Sequence, residues 1–292
     1  MNVFLAKNDG AFRCPGLESE FRTKRRVKMR PHGLPEYKTP PLNEVAFGIQ
    51  FSPAPHYSQI HAGEVFNLFK SDFPKVAEHG ALPPMFETFG LSSQQAVQFG
   101  FGGAARHDRF WFISDDDRKL LQFQQDRVHL NWRNSTEGGE IYPRFDTMIF
   151  EFQNCIEKLE IFFRAYGLES LSCNQVELAY INHIKPGKSE RYSDLIKLGG
   201  ELISRSDDFA LNYRRVIKDD SGKPTGRLIS EVATALDQAG KELLLLNLTV
   251  RGAPADAKIS SAVNFLNDAR ITIVNEFTDI TTKDAHVIWG RV

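Results

Sequence analysis

Asn43-Glu44-Val45-Ala46-Phe47-Gly48-Ile49-Gln50-Phe51 alternates large apolar residues with small or polar ones. A period of two marks a strand with one face in a core. Pro53 and Pro55 close the run. Asn174-Gln175-Val176-Glu177-Leu178-Ala179-Tyr180 repeats the pattern after a second polar opening. Outward from each strand the same order of elements follows. In the first half come a helix over residues 61–70, short strands over 96–101, 110–113 and 120–123, and a strand over 128–133. A long helix then begins near Pro143 and ends at Gly167. In the second half come a helix over 192–203, strands over 209–217, 227–236 and 243–251, and a final helix entered at Pro254.

Leu130-Asn131-Trp132-Arg133 and Leu248-Thr249-Val250-Arg251 end corresponding strands, which strengthens the reading of two related β-α-β-β-(β)-α halves. Their turns, Ser114-Asp115-Asp116-Asp117 and Asp219-Asp220-Ser221-Gly222, are hairpin turns rather than helical crossovers. The expected fold is therefore α+β, a curved antiparallel sheet with long helices packed on one face. Residues 34–170 and 171–292 form the two halves. This order resembles the duplicated TATA-binding-protein-like and helix-grip architectures, a likeness of arrangement that transfers no function.

Residues 1–33 differ in character. Arg22, Lys24, Arg25, Arg26, Lys28 and Arg30 lie within nine positions and little there is apolar. The segment reads as a disordered basic tail, or as an over-extended start with initiation at Met29. The functional alternative is an arm for nucleic acid. Elsewhere the chain is balanced, with a net charge of −1 and 41% hydrophobic residues, so phosphate or membrane attraction must come from a local patch. No run of ~18 apolar residues suggests a membrane span and no secretory signal is evident, so a cytoplasmic protein is expected. The 23 Phe at strand and helix spacings point to an aromatic core. Cys14, Cys155 and Cys173 are too far apart for a CxxC site; Cys155 and Cys173 read as small buried residues.

Chemical motifs are sparse. Asp115-Asp116-Asp117 lacks the alternating ligands and distal Glu of a calcium loop, and Gly102-Gly103 lacks the Lys-Ser/Thr of a P-loop. No His pair has zinc spacing. His129, His183 and Glu177 could meet across a sheet as an acid-base set, but hydrogen bonding at strand ends is their commoner use. No catalytic residue, metal or cofactor is assigned. The residues between the core positions of the strands define a polar sheet face: Gln122, His129, Asn131, Arg133, Glu177, Asn247, Thr249 and Arg251. A one-residue register error would turn this set into the core. The expected function is a non-enzymatic module that uses this face or the helix ends to bind a protein partner. The alternative is nucleic-acid binding by the basic arm together with Arg133, Arg251 and Trp132.

Several stretches carry a resemblance to a known family. They are Pro41-Leu42-Asn43-Glu44-Val45, Arg109-Phe110-Trp111-Phe112-Ile113-Ser114, Asn131-Trp132-Arg133, Tyr142-Pro143-Arg144-Phe145, Tyr180-Ile181-Asn182-His183-Ile184 and His286-Val287-Ile288-Trp289-Gly290-Arg291. From residue 34 to the end, the chain resembles a sporadically distributed prokaryotic protein family without an assigned activity. The resemblance implies a coherent fold and an accessory role, and no catalytic residues. The ending at Trp289 is expected to anchor against the sheet or the second half.

Overall fold

The computed structural model describes residues 33–90, 108–134, 142–187, 191–200, 206, 208–237 and 239–292. The Val45 run is strand β1 (Leu42–Phe51), at the middle of one nine-stranded antiparallel sheet. The strands are β2 (Lys75–His79), β3 (Arg109–Ile113), β4 (Lys119–Gln124), β5 (Arg127–Arg133), β6 (Cys173–Ile184), β7 (Ala210–Lys218), β8 (Pro224–Leu236) and β9 (Glu242–Gly252). Their spatial order is β2-β3-β4-β5-β1-β6-β9-β8-β7. β1 pairs with β5 on one side and β6 on the other, so the strands opening the two expected halves are hydrogen-bonded neighbours. The sheet is continuous and curved, and Pro35–Val292 form one compact unit.

The helices are α1 (Ala62–Phe69), α2 (Phe145–Arg164), α3 (Tyr192–Leu195), α4 (Ile259–Ile280) and α5 (Lys283–Ile288). The apolar phase of β1 meets α2. The Phe47 ring lies 5.2 Å from Phe145 and 6.0 Å from Phe152, and Phe51 lies 5.9 Å from Phe163. Leu266, Ile273 and Phe277 of α4 are buried in the same core, which also takes Leu178 of β6 and Val250 of β9. Both cysteines in the described residues are buried, and burial raises each thiol to about 12. Among the described residues no helix is long and apolar enough to cross a membrane.

Several expected boundaries move. The long first helix starts at Phe145 rather than Pro143, because Arg144 before it has φ 73°, outside the helical region. Within the helix expected over 192–203, the first helical segment ends at Leu195, Gly200 is helical again, and residues 201–203 lie outside the described residues. Ile196 turns extended to bridge Thr281, Lys197 N donates to Ile280 O, and Gly199 and Gly200 both have positive φ. The strand expected over 96–101 lies outside the described residues. β2, with only Val76 and Ala77 as apolar positions, gave no alternation to find, since it is a largely exposed edge strand.

The C-terminal segment is anchored as expected. Trp289 is buried against Phe277 and Tyr37, and Thr39 N donates to Trp289 O. Val292 N donates to Glu36 O, which closes the end of the chain onto the lead-in to β1.

Candidate functional site

The sheet register places every proposed face residue opposite the helices. Gln122, His129, Gly48, Glu177, Arg251 and Arg227 are successive cross-strand neighbours in one row. Asn131, Ala46, Ala179 and Thr249 form the next row, and Arg133, Glu44, Ile181 and Asn247 the one beyond. His129, Asn131, Arg133, Glu177, Asn247, Thr249 and Arg251 therefore share one face. They divide into two groups. His129, Glu177 and Arg251 lie in the row next to the segment described below, and the other four lie in the following rows. The basic arm from Arg22 to Arg30 lies outside the described residues.

Gly48 shows how closely the face is built. A Cβ there would come within 2.1 Å of His129 Cδ2 and 2.4 Å of Nε2, so the imidazole lies directly over the glycine backbone. Burial lowers the His129 pKa; Glu177 opposes this while Arg127, Arg251 and Arg109 reinforce it. The ring is neutral at pH 7. His183, also considered for acid-base work, is six residues from Glu177 along β6, about 20 Å away at ~3.4 Å per residue. The structure brings His129 and Glu177 to opposite sides of Gly48 but leaves His183 apart. Among the described residues no cluster of His, Cys, Asp and Glu is placed to hold a metal ion.

The carboxylates and amides of the face form a network. Arg251 Nε donates to Glu177 Oε2 at 2.5 Å. Asn131 accepts from Gln122 and donates to Glu44. Arg133 donates to the main-chain oxygen of Asp117, in the Asp115–Asp117 hairpin tip. Asp126, buried in the β4–β5 turn, accepts from Gln124 and Arg127.

Residues 80–89, of which Gly80 to Pro84 read as a loop in the sequence and 85–89 carried no assignment, cross this face as an extended strap. The sheet holds the strap by its main chain. Gln124 Oε1 accepts from Leu82 N and Gln124 Nε2 donates to Leu82 O, both at 2.9 Å. Arg127 donates to Pro83 O at 2.9 Å, and Gln50 Oε1 accepts from Met85 N at 2.9 Å. Arg227 donates to Thr88 O at 2.6 Å. One side chain is fixed too: Glu87 accepts from Arg227 at 3.1 Å and Arg251 at 3.3 Å. These groups of the strap thus face the sheet, while Phe86 is 56% exposed; Leu82 and Met85, at 39% and 38%, are partly exposed but also line the space beneath the strap, and the 42%-exposed Phe89 ring lies over the Arg227 guanidinium at 5.9 Å.

Between strap and sheet is a cavity of about 130 Å³. Its polar lining comes from Gln50, Arg127, His129, Gln175, Glu177 and Arg251. Sequence reading missed Gln50, Gln124, Arg127, Gln175 and Arg227 as members of the site. The same alternation that gave His129 and Glu177 contained the signal, because all five stand on the outward phase of their strands. Glu87 carried no such signal.

No protein-family model and no curated protein matches the chain. The functional reading therefore rests on this face and strap.

Proposed function

We propose that the protein is a non-enzymatic binding module that recognises a protein partner through the strap and the polar face beside it. The observation that carries this reading is the strap's orientation. An extended segment bonded to the sheet through Leu82, Pro83, Met85, Glu87 and Thr88 leaves the Phe86 and Phe89 rings, and part of Leu82 and Met85, exposed to water. Large apolar side chains held in a fixed, exposed line are costly unless they are covered in use. Aromatic and Met side chains are enriched at protein interfaces. Arg133, Asn247 and Thr249, half-buried on the following rows, supply polar positions on the same face, whereas Asn131 is buried and bonded to Gln122 and Glu44. The face arginines support a protein partner over nucleic acid, since they are already engaged. Arg127 pairs with Asp126, Arg251 with Glu177, and Arg227 with Glu87.

The test is gentle purification from the native host at low salt, with wild type and Phe86→Ser/Phe89→Ser in parallel. A stoichiometric protein that accompanies wild type but not the folded double variant supports the reading. Recovery of the same protein on both removes the strap from recognition. The alternative reading gives a different outcome: co-purifying nucleic acid, lost with residues 1–28 and weakening steeply with salt.

A further inference from the structure

β2 and β7 end the sheet, and each has one long side without a strand neighbour among the described residues. The two ends are built differently. β2 is five residues long, and short length is a common way to blunt an edge. β7 runs for nine residues without a proline, and its one register irregularity lies at its end, between Ile217 and Lys218. β8 and β9, of 13 and 11 residues, back it as a firm template. In an antiparallel edge strand alternate residues turn both N–H and C=O away from the neighbour, so β7 offers an extended row of donors and acceptors. Its side chains select what that row fits. β7 carries Arg214, Arg215 and Lys218 and no acidic residue. Arg215 turns toward the helices, where it and Tyr213 donate to the buried Glu276 of α4. Leu211 and Ile217, on the same phase, are partly buried against the core. Arg214 stands on the opposite phase. Arg214 and Lys218 are exposed, and neither forms an ion pair among the described residues. A second copy paired antiparallel over the full strand would set Arg214 against its own counterpart, and like charges directly opposite destabilise a strand pair. An acidic strand meets the same cations with the opposite sign.

We propose that β7 takes up an extended segment of another protein as an added strand, one that is acidic on one face and apolar on the other. The main chain of that segment bonds to the outer side of β7. Its carboxylates meet Arg214 and Lys218, and its apolar side chains continue the core past Leu211 and Ile217. The site stands apart from the strap reading, since it uses the end of the sheet.

The probe is a capped decapeptide of alternating glutamate and valine, titrated into the full chain and followed by amide NMR. One control is the lysine–valine peptide, which reverses the charge. The other is the glutamate–valine peptide N-methylated along its length, which keeps the charge and removes the donors. Saturable binding of the probe at millimolar or lower concentration is expected, with slowed amide exchange at alternate residues of β7. Both controls should bind about tenfold more weakly or not at all. Arg214→Glu/Lys218→Glu, at two exposed positions, should reverse the preference between the glutamate and lysine peptides. Phe86→Ser/Phe89→Ser should bind the probe as wild type does. Circular dichroism checks the folding of both variants, and the exchange pattern with the N-methylated control keeps the test decisive if the charge variant fails to fold. The proposal is overturned by an absence of saturable binding, by equal binding of the N-methylated peptide, or by an unchanged preference in the folded charge variant. Loss of binding in the folded strap variant would put the peptide on the strap and overturn it too. Tighter binding of a single-stranded oligonucleotide at β7 would assign the cations to phosphate, with the same result.

Discussion

Gly48 and His129 show how one residue's absence of a side chain shapes this face. In most strands Gly→Ala is neutral or helpful, because alanine restricts the unfolded chain. Here the added methyl must displace an imidazole packed against the backbone. Gly48→Ala should therefore destabilise by about 1–3 kcal/mol in urea denaturation. In a His129→Ala background most of that loss should vanish, and a double-mutant cycle measures the difference. The histidines also set a pH response. His129, His183 and His286 are all held below their ordinary value, chiefly by burial. His286 has a further constraint: Arg291 donates to its Nδ1 at 3.0 Å, so its proton sits on Nε2, against Thr281 Oγ1 at 2.8 Å. For these groups the unfolded chain binds the proton more readily than the native one. Stability is thus fully present above the unfolded pKa of about 6.5 and falls as pH drops below it. The urea midpoint should decrease between pH 7.5 and 5.5, and His129→Gln should reduce that decrease. The alternations of β1 and β5 already put Gly48 and His129 on the outward phase. It could not give the distance between them, which depends on how two strands pair.

At the scale of elements, the strap is the feature the sequence disclosed least. Strand periodicity made β1, β3, β4, β5, β8 and β9 legible to within a few residues, because each buries alternate side chains. A strap has no period of its own. Its conformation comes from amides and guanidiniums on four other strands, far away in sequence. The same limit explains α3, whose apparent helical pattern yields at Ile196 to a bridge with Thr281. Glu87 is the strap's main side-chain anchor. Glu87→Ala leaves two poorly exposed guanidiniums short of a partner and should cost roughly 1–3 kcal/mol. The loss should be local. Amide exchange at Leu82 and Met85 should accelerate while that of β1 and β6 stays slow. Equal acceleration throughout would mean that the strap is integral to the sheet's stability.

Across the whole molecule, the pairing of β1 with β6 makes one sheet and one core from both expected halves. The polar and apolar faces were legible as a set, since all eight named face residues share one side. The strap that covers part of that face was not. Unfolding should be a single cooperative transition. Far-ultraviolet circular dichroism should coincide with fluorescence from Trp132 on β5 and Trp289 near the C-terminus. Phe152→Ala, which empties a fully buried position between α2 and β1, should lower stability by about 3–5 kcal/mol without splitting that transition. The central claim concerns the outer surface of the strap. Its most direct test is site-specific photocrosslinking in the native host, with a photoreactive phenylalanine analogue at Phe86 or, as a control, at exposed Glu157 on α2. The account predicts one discrete crosslinked protein from position 86 and none from 157. A partner captured from 157 and not from 86 would contradict it.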